Sequence, residues 1–160
     1  MELIVAVDKN WGIGKGNDLL FRISEDLKRF KAMTVGHAIL VGKRTLDSFP
    51  GGKPLPNRTN IVLCFPEEEC PPEVRKVTSV EEAVAVSKEY DVVYVSGGES
   101  IYRQLLPFCE KAHITKIHSA KEADRFFPNL DEDESWHITE ESPIQSQDGL
   151  TYSFITYERT

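Results

Sequence analysis

Five short β-rich runs, Leu3 to Val7, Ala38 to Val41, Asn60 to Cys64, Val92 to Ser96 and Ala112 to Ile117, are spaced along the chain with helix-compatible segments between them. Runs of this length, separated by helical segments, suit the strands of a parallel sheet. Ser24 to Met33, Arg44 to Phe49, Ser79 to Lys88 and Ser100 to Leu105 read as the covering helices. The alternation predicts an α/β fold: a mostly parallel twisted sheet with flanking helices. Ser79-Val80-Glu81-Glu82 is a capping box and marks one helix start firmly. Beyond Asp131 the alternation stops. Trp136 to Glu140 and Thr151 to Glu158 flank the polar stretch Gln145 to Gly149 and read as a C-terminal antiparallel strand pair that finishes the sheet. Lys9 to Arg22, holding Gly12, Gly14 and Gly16, reads as a long irregular loop, and loops of that length usually serve a function.

A chain of 160 residues, 40% of them hydrophobic, suits one domain spanning 1–160. A net charge of -7 argues against general affinity for nucleic acid or anionic membrane, so an anionic ligand would need a local basic cluster. The N-terminal run lacks the basic start of a signal peptide, and no apolar run reaches the ~18 residues of a membrane span. Cys64, Cys70 and Cys109 show no Cys-x-x-Cys spacing, which argues against a disulfide framework or a zinc site. His37, His113, His118 and His137 fit no nucleophile or metal pattern. The expectation is a soluble, reduced, cytoplasmic monomer without a metal.

Within the first helix, Ile23, Leu27, Phe30 and Met33 recur at helical spacing, and Asp26 falls inside the arc they define. Burying a carboxylate without a partner costs several kcal/mol. Either a nearby cation or donor satisfies Asp26 as a structural element, or it sits at a solvated rim, or a ligand with matching donors meets it.

Three places suit an anion. Gly42-Lys43-Arg44-Thr45 follows an apolar run and opens a helix, where free N–H groups, the dipole and two cations converge. Gly97-Gly98-Glu99-Ser100-Ile101-Tyr102 repeats the arrangement, with two residues that let backbone approach a pyrophosphate. Each alone also fits a plain turn; two on one parallel sheet point to a dinucleotide. Arg58, behind the stiff Pro54-Leu55-Pro56-Asn57 segment, could present its fork to a carboxylate or lie as a surface arginine.

Taken in order, Trp11-Gly12-Ile13-Gly14, Glu25-Asp26-Leu27 through Phe30, Val41-Gly42-Lys43-Arg44-Thr45, Lys53 through Arg58, Gly97-Gly98 with Tyr102, Thr115, and Asp124 to Pro128 resemble the bacterial dihydrofolate reductases over nearly the whole chain. The resemblance implies a dihydrofolate reductase-like fold and NADPH-dependent hydride transfer to C6 of dihydrofolate, with a proton reaching N5 from water. Asp26 would bind the 2-amino group and N3 of the pterin, with Thr115 in the same network. Ile4, Val5, Ala6, Leu27, Phe30, Phe49 and Leu55 would line the substrate pocket, and Arg58 would pair with the glutamate tail. Ala6, Ile13, Gly14, Leu19, Gly97 and Gly98 would meet the nicotinamide, with Ser96 on the wall shared with the pterin. Gly42, Lys43, Arg44 and Thr45 would take the phosphates. Leu63, Cys64, Glu99, Ser100, Ile101 and Tyr102 would complete the cofactor site. Lys9 to Arg22 would be a lid that excludes water, and antifolates would be expected to bind.

The chain departs from the family pattern in four places, one of them Ser96, which stands where an apolar residue is usual. Leu19-Leu20-Phe21 stands where Leu-Pro-Trp is usual, which removes an indole N–H near the pterin. Lys43 stands where arginine is commoner, and Cys64-Phe65 where a hydroxyl or basic residue often meets the 2′-phosphate, so preference for NADPH over NADH would be weaker. Two other functions fit the same motifs. A reductase of the same fold acting on an untailed pyrimidine or pteridine would have no use for Arg58 and Phe30. A binding module that turns over poorly would point to Phe21.

Overall fold

In the computed structural model, which describes residues 1–16 and 18–160, the β-rich runs form strands and the segments between them mostly helices. In chain order the elements are β1 (Glu2–Val7), β2 (Gly12–Lys15), β3 (Asp18–Leu19), α1 (Ser24–Thr34), β4 (Ala38–Gly42), α2 (Lys43–Ser48), β5 (Thr59–Leu63), β6 (Arg75–Val77), α3 (Val80–Ser87), β7 (Val93–Val95), α4 (Glu99–Leu105), β8 (Lys111–Ile117), β9 (Arg125–Phe126), β10 (Trp136–Glu141), β11 (Gln145–Gln147) and β12 (Leu150–Arg159). The main sheet runs β10-β12-β8-β1-β7-β4-β5-β6, with β11 also on β12. From β8 to β6 neighbouring strands are parallel, while β12 pairs antiparallel with β8, β10 and β11. The α/β architecture read from the sequence is the one observed, and the C-terminal antiparallel strands complete the sheet beside β8.

The central parallel strands β1, β4 and β7 are largely apolar and largely buried, whereas β6 at the edge and β8 carry polar residues. Every residue of β4 is buried, and Leu3, Ile39, Leu40, Ile61, Val62, Val95 and Ile114 have no exposed surface. Each such side chain contributes about 1.5–3 kcal/mol relative to exposure. The helix start falls where the capping box placed it: the Ser79 hydroxyl accepts from Glu82 N at 3.0 Å, while Glu82 Oε1 reaches back one residue further and accepts from Thr78 N at 2.9 Å.

Two features of this sheet create a cleft. β1 pairs with β7 only at Glu2 and Leu3, so the two strands separate toward their C-terminal ends. The Tyr102 hydroxyl donates to the freed Ile4 carbonyl at 2.8 Å, satisfying an acceptor the ladder no longer reaches. Beside this gap, the chain leaves β4 through α2 toward β5, but leaves β7 through α4 toward β8 on the far side of β1. Open α/β sheets bind ligands at such a divergence.

Arg75–Val77 forms the edge strand β6 where the sequence pattern predicts no strand, and two polar stretches also differ from expectation. Lys9 to Arg22 is not wholly irregular: β2 pairs with β3 and with β9, forming a small three-stranded sheet. Buried Asp8 anchors it, its Oδ1 accepting from Asn10 N and Gly12 N at 2.8 Å each and its Oδ2 from Lys121 N at 3.2 Å. Trp11 is buried between Phe127 and Tyr157, with Lys116 Nζ 3.9 Å above its ring. Gln145 to Gly149 likewise contains β11, joined to β12 through Asp148 and Gly149 at positive φ, the conformation that an Asp-Gly hairpin turn requires.

Candidate active site

α1 carries the misplaced acid, and its start is fixed from across the molecule. No side chain of its own caps it; instead Gln147 Oε1 accepts from Glu25 N at 3.1 Å, and the Gln147 amide also reaches Ser24 Oγ. The C-terminal hairpin thereby sets the position of Asp26. Within α1 only Thr34 is fully buried, and Leu27 is 44% exposed, so the sheet leaves part of the apolar stripe uncovered.

Asp26 lies largely buried, with one acceptor contact among the described residues: the Thr115 hydroxyl donates to Oδ1 at 2.5 Å. Thr115 is itself 2% exposed on β8, in register with Ala6 on β1 and Phe154 on β12. Burial raises the Asp26 pKa above its ordinary value, and the Thr115 bond and the Arg29 charge partly offset that rise. Arg29 stacks 4.2 Å above the Phe154 ring and forms no ion pair within 4.0 Å among the described residues. Among the described residues no cation forms an ion pair with Asp26, and the one donor that reaches it, Thr115, engages a single oxygen. A carboxylate with a free oxygen in an apolar recess suits a ligand presenting paired N–H donors.

Arg58 is held rather than loose. Its Nε donates to Pro56 O at 2.9 Å and its Nη1 to Thr34 Oγ1 at 3.1 Å, while Thr34 donates to Phe30 O at 2.7 Å. Buried Asn60 fastens the preceding turn through Leu55 N, Leu55 O and Arg58 O, at 3.0, 2.9 and 3.1 Å. No carboxylate pairs with Arg58 among the described residues, so the guanidinium is held beside Thr34 at the end of α1 with its Nη2 donors still unengaged there.

The two glycine turns meet at the divergence point. Gly42 N donates to Gly97 O at 2.9 Å, and a Cβ on Gly42 would lie 2.9 Å from Ile101 Cγ1. Gly97 has φ of 121°, open to glycine, and a Cβ on Gly98 would lie 3.5 Å from Thr45 Oγ1. Ser96 joins the same edge, its N donating to Leu40 O at 2.9 Å. On the other side of the cleft, Ala6, Ile13, Leu19 and Phe21 surround a cavity of about 10 Å³. A larger groove of about 540 Å³ is lined by Arg29 of α1 and by Glu140, Glu141, Phe154 and Thr156 of the C-terminal strands.

Several of the expected cofactor residues are otherwise engaged. Lys43 Nζ bonds Asp47 at 2.6 Å, which raises its pKa, whereas exposed Arg44 has no ion pair among the described residues. Glu99 Oε2 accepts from Phe126 N at 2.6 Å, tying α4 to β9, and Ser100 Oγ accepts from Gln104 at 2.8 Å. Ile101 and Tyr102 are buried, Leu63 is 7% exposed, and the Cys64 sulfur lies 3.7 Å from that of Cys70. Gly14 sits within β2, paired with Leu19 and Arg125. Ile4 and Val5 are 9% exposed; Phe30, Phe49 and Leu55 are half-buried.

A model of the dihydrofolate reductase family matches residues 1–159. The chain belongs to that family. The dihydrofolate reductase of Staphylococcus haemolyticus is 38% identical over 160 residues, covering 99% of this chain and 95% of that one. That of Bacillus subtilis is 34% identical, covering 99% and 94%. Among solved structures, a dihydrofolate reductase from Enterococcus faecalis complexed with NADP(H) and RAB-propyl superposes with a TM-score of 0.89 at 32% identity, covering 99% of this chain and 95% of that chain.

Beyond the motifs that mark the family, sequence reasoning missed four supporting residues: Asp8, Thr34, Asn60 and Gln147. Three left a trace. Asp8 ends an apolar run, Asn60 opens one, and Thr34 ends the helical stripe, each a polar residue that proves buried. Gln147 left none, because its partners lie 122 and 123 residues away.

Proposed function

We propose that the protein reduces 7,8-dihydrofolate to 5,6,7,8-tetrahydrofolate with NADPH, supplying one-carbon metabolism. The observation that carries this reading is the Asp26 carboxylate, half-enclosed, held at one oxygen by Thr115 and matched to a pterin's paired N–H donors. Its other oxygen is free to accept from N3 or the 2-amino group. Burial makes the carboxylate a stronger partner for those donors than it would be in water.

Ile4, Val5, Ala6, Leu27, Phe30, Phe49 and Leu55 then exclude water around the ring and aminobenzoyl group, and Arg58 receives the tail carboxylate. That unpaired guanidinium weighs against substrates lacking a tail. At the divergence point the glycine backbone beside Thr45 admits close approach of a nucleotide, and Arg44 supplies a cation for its phosphates. NADPH bound there supplies the hydride. Ala6, Ile13, Leu19 and the β2–β3 hairpin shield the transfer from bulk water, while water delivers the proton to N5. Asp26 acts by orienting and polarising the ring, with no covalent step. Small-molecule antifolates with a diamino face would fill the same recess. We read residues 1–160 as one domain acting as a cytoplasmic monomer, since a single central sheet and its helices close one core.

Loss of the reduced-nicotinamide absorbance on mixing protein, NADPH and dihydrofolate tests the reading. The expected result is oxidation that requires dihydrofolate and yields tetrahydrofolate. Binding of both without oxidation, or oxidation with an untailed pyrimidine instead, would overturn it.

A further inference from the structure

Cys64 and Cys70 lie six positions apart, and their sulfurs are 3.7 Å apart, within hydrogen-bonding range of each other. Cys64 ends the β5 run and is buried among Val41, Leu46 and Val62, with Phe49, Cys70 and Val74 against it. Cys70 is the more exposed of the two. The chain between them is a turn held by Lys76, which donates to Pro66 O at 2.8 Å and also to Glu68 O. Lys43, Lys76 and Glu68 are the charged groups that act on this pair. Cys109 is buried elsewhere, its sulfur donating to Leu105 O at 3.3 Å.

We propose that Cys64 and Cys70 form a reversible disulfide by exchange with a small-molecule disulfide, and that closing it weakens nucleotide binding. The two sulfurs need approach by only about 1.7 Å to reach bonding distance, and the loop closed is short. Order of attack follows from exposure. Burial and the neighbouring thiol push Cys64 up to about 11, so Cys70 is the first nucleophile. Its thiolate attacks one sulfur of the small disulfide, forming a mixed disulfide and expelling one small thiolate, which takes a proton. Cys64, deprotonated, then attacks the Cys70 sulfur and expels the second. Two protein thiols are oxidised and one small disulfide is reduced to two thiols.

The coupling to nucleotide rests on the reading under Proposed function. Cys64 packs on Leu46 of α2, and α2 carries Arg44 and Thr45. Drawing the turn inward moves the wall on which the start of α2 rests. The cost is reciprocal, so bound nucleotide shifts the thiol–disulfide equilibrium toward the open, reduced pair by the same factor.

Incubation of the full chain with oxidised glutathione, followed by intact-mass and peptide mapping and by NADPH titration, tests the proposal. The expected product has lost two hydrogens, joins Cys64 to Cys70, leaves Cys109 free and reverts with dithiothreitol. Cys70→Ser shows neither the bond nor a glutathione adduct on Cys64. Oxidation raises the NADPH dissociation constant about fivefold or more, the low end of ordinary coupling between sites, and reduction restores it. No reaction, a persistent adduct on Cys70, or an unchanged dissociation constant in the oxidised form would overturn the proposal. Failure of the reduced protein to bind NADPH would instead overturn the functional reading, and the mass result would stand apart from it.

Discussion

Replacing Thr115 with valine removes one hydroxyl from the interior and keeps the side-chain shape. Thr115 is 2% exposed, its hydroxyl donates to Asp26 at 2.5 Å, and among the described residues no other donor reaches that carboxylate. The loss is therefore that of a hydrogen bond to a charged group, about 1.5–3 kcal/mol where Asp26 is ionised. Burial already holds the Asp26 pKa above its ordinary value, and Thr115 pulls it down, so Thr115→Val raises it further. Between the ordinary value and the raised one, the native variant binds more protons than the unfolded chain, so its stability falls as pH rises through that window. The deficit is full above the raised value and shrinks to about 0.5–1.5 kcal/mol where the carboxyl is neutral. Urea unfolding at neutral and acid pH measures it, and the limb of the kcat/KM profile governed by Asp26 should move to higher pH. An equal deficit at both pH values, with an unshifted profile, would refute the reasoning.

Arg58→Leu should weaken dihydrofolate and tailed antifolates by about 2–5 kcal/mol in equilibrium titrations while leaving small antifolates unaffected; equal weakening of both would make Arg58 structural. Arg44→Gln should weaken NADPH by about 1–3 kcal/mol and NADH much less, because Lys43 is tied to Asp47 and Arg44 carries the free charge. Equal shifts for the two nucleotides would show that Arg44 does not read the 2′-phosphate. Gln147→Ala should lower stability to unfolding by about 0.5–2 kcal/mol, the value of a helix cap, since it holds the start of α1.

The parallel sheet was legible because β1, β4 and β5 are largely buried and carry near-continuous apolar runs, while β8 shows itself by alternation, with Ala112, Ile114 and Ile117 buried between Lys111, His113 and Lys116. β2, β3, β6, β9 and β11 were not, since each is short and carries polar residues, and the β2–β9 pairing joins segments far apart in the chain. For example, β2 meets β9 because Asp8 holds the intervening turn to Lys121, a contact without local signature. In the site, Asp26 stood out by breaking an apolar face, and Arg58 and the glycine turns by following the family's motifs. What the sequence left unread is how these groups are held: Thr34 on Arg58, Gln147 on α1, and Asp47 on Lys43. Such contacts depend on tertiary placement. Cys64 and Cys70 illustrate the limit, since their spacing matches no familiar motif yet a turn brings the sulfurs together.

Turnover of Asp26→Asn across pH tests the central claim most directly. The amide cannot offer an anion to paired N–H donors, so turnover of dihydrofolate at neutral pH should fall roughly 10²–10³-fold. The loss should narrow at lower pH, where the substrate is already protonated. Thermal unfolding should be no easier than in the parent, because the substitution removes a charge that burial disfavours. A stably folded variant with unchanged turnover at neutral pH would contradict the role assigned to Asp26.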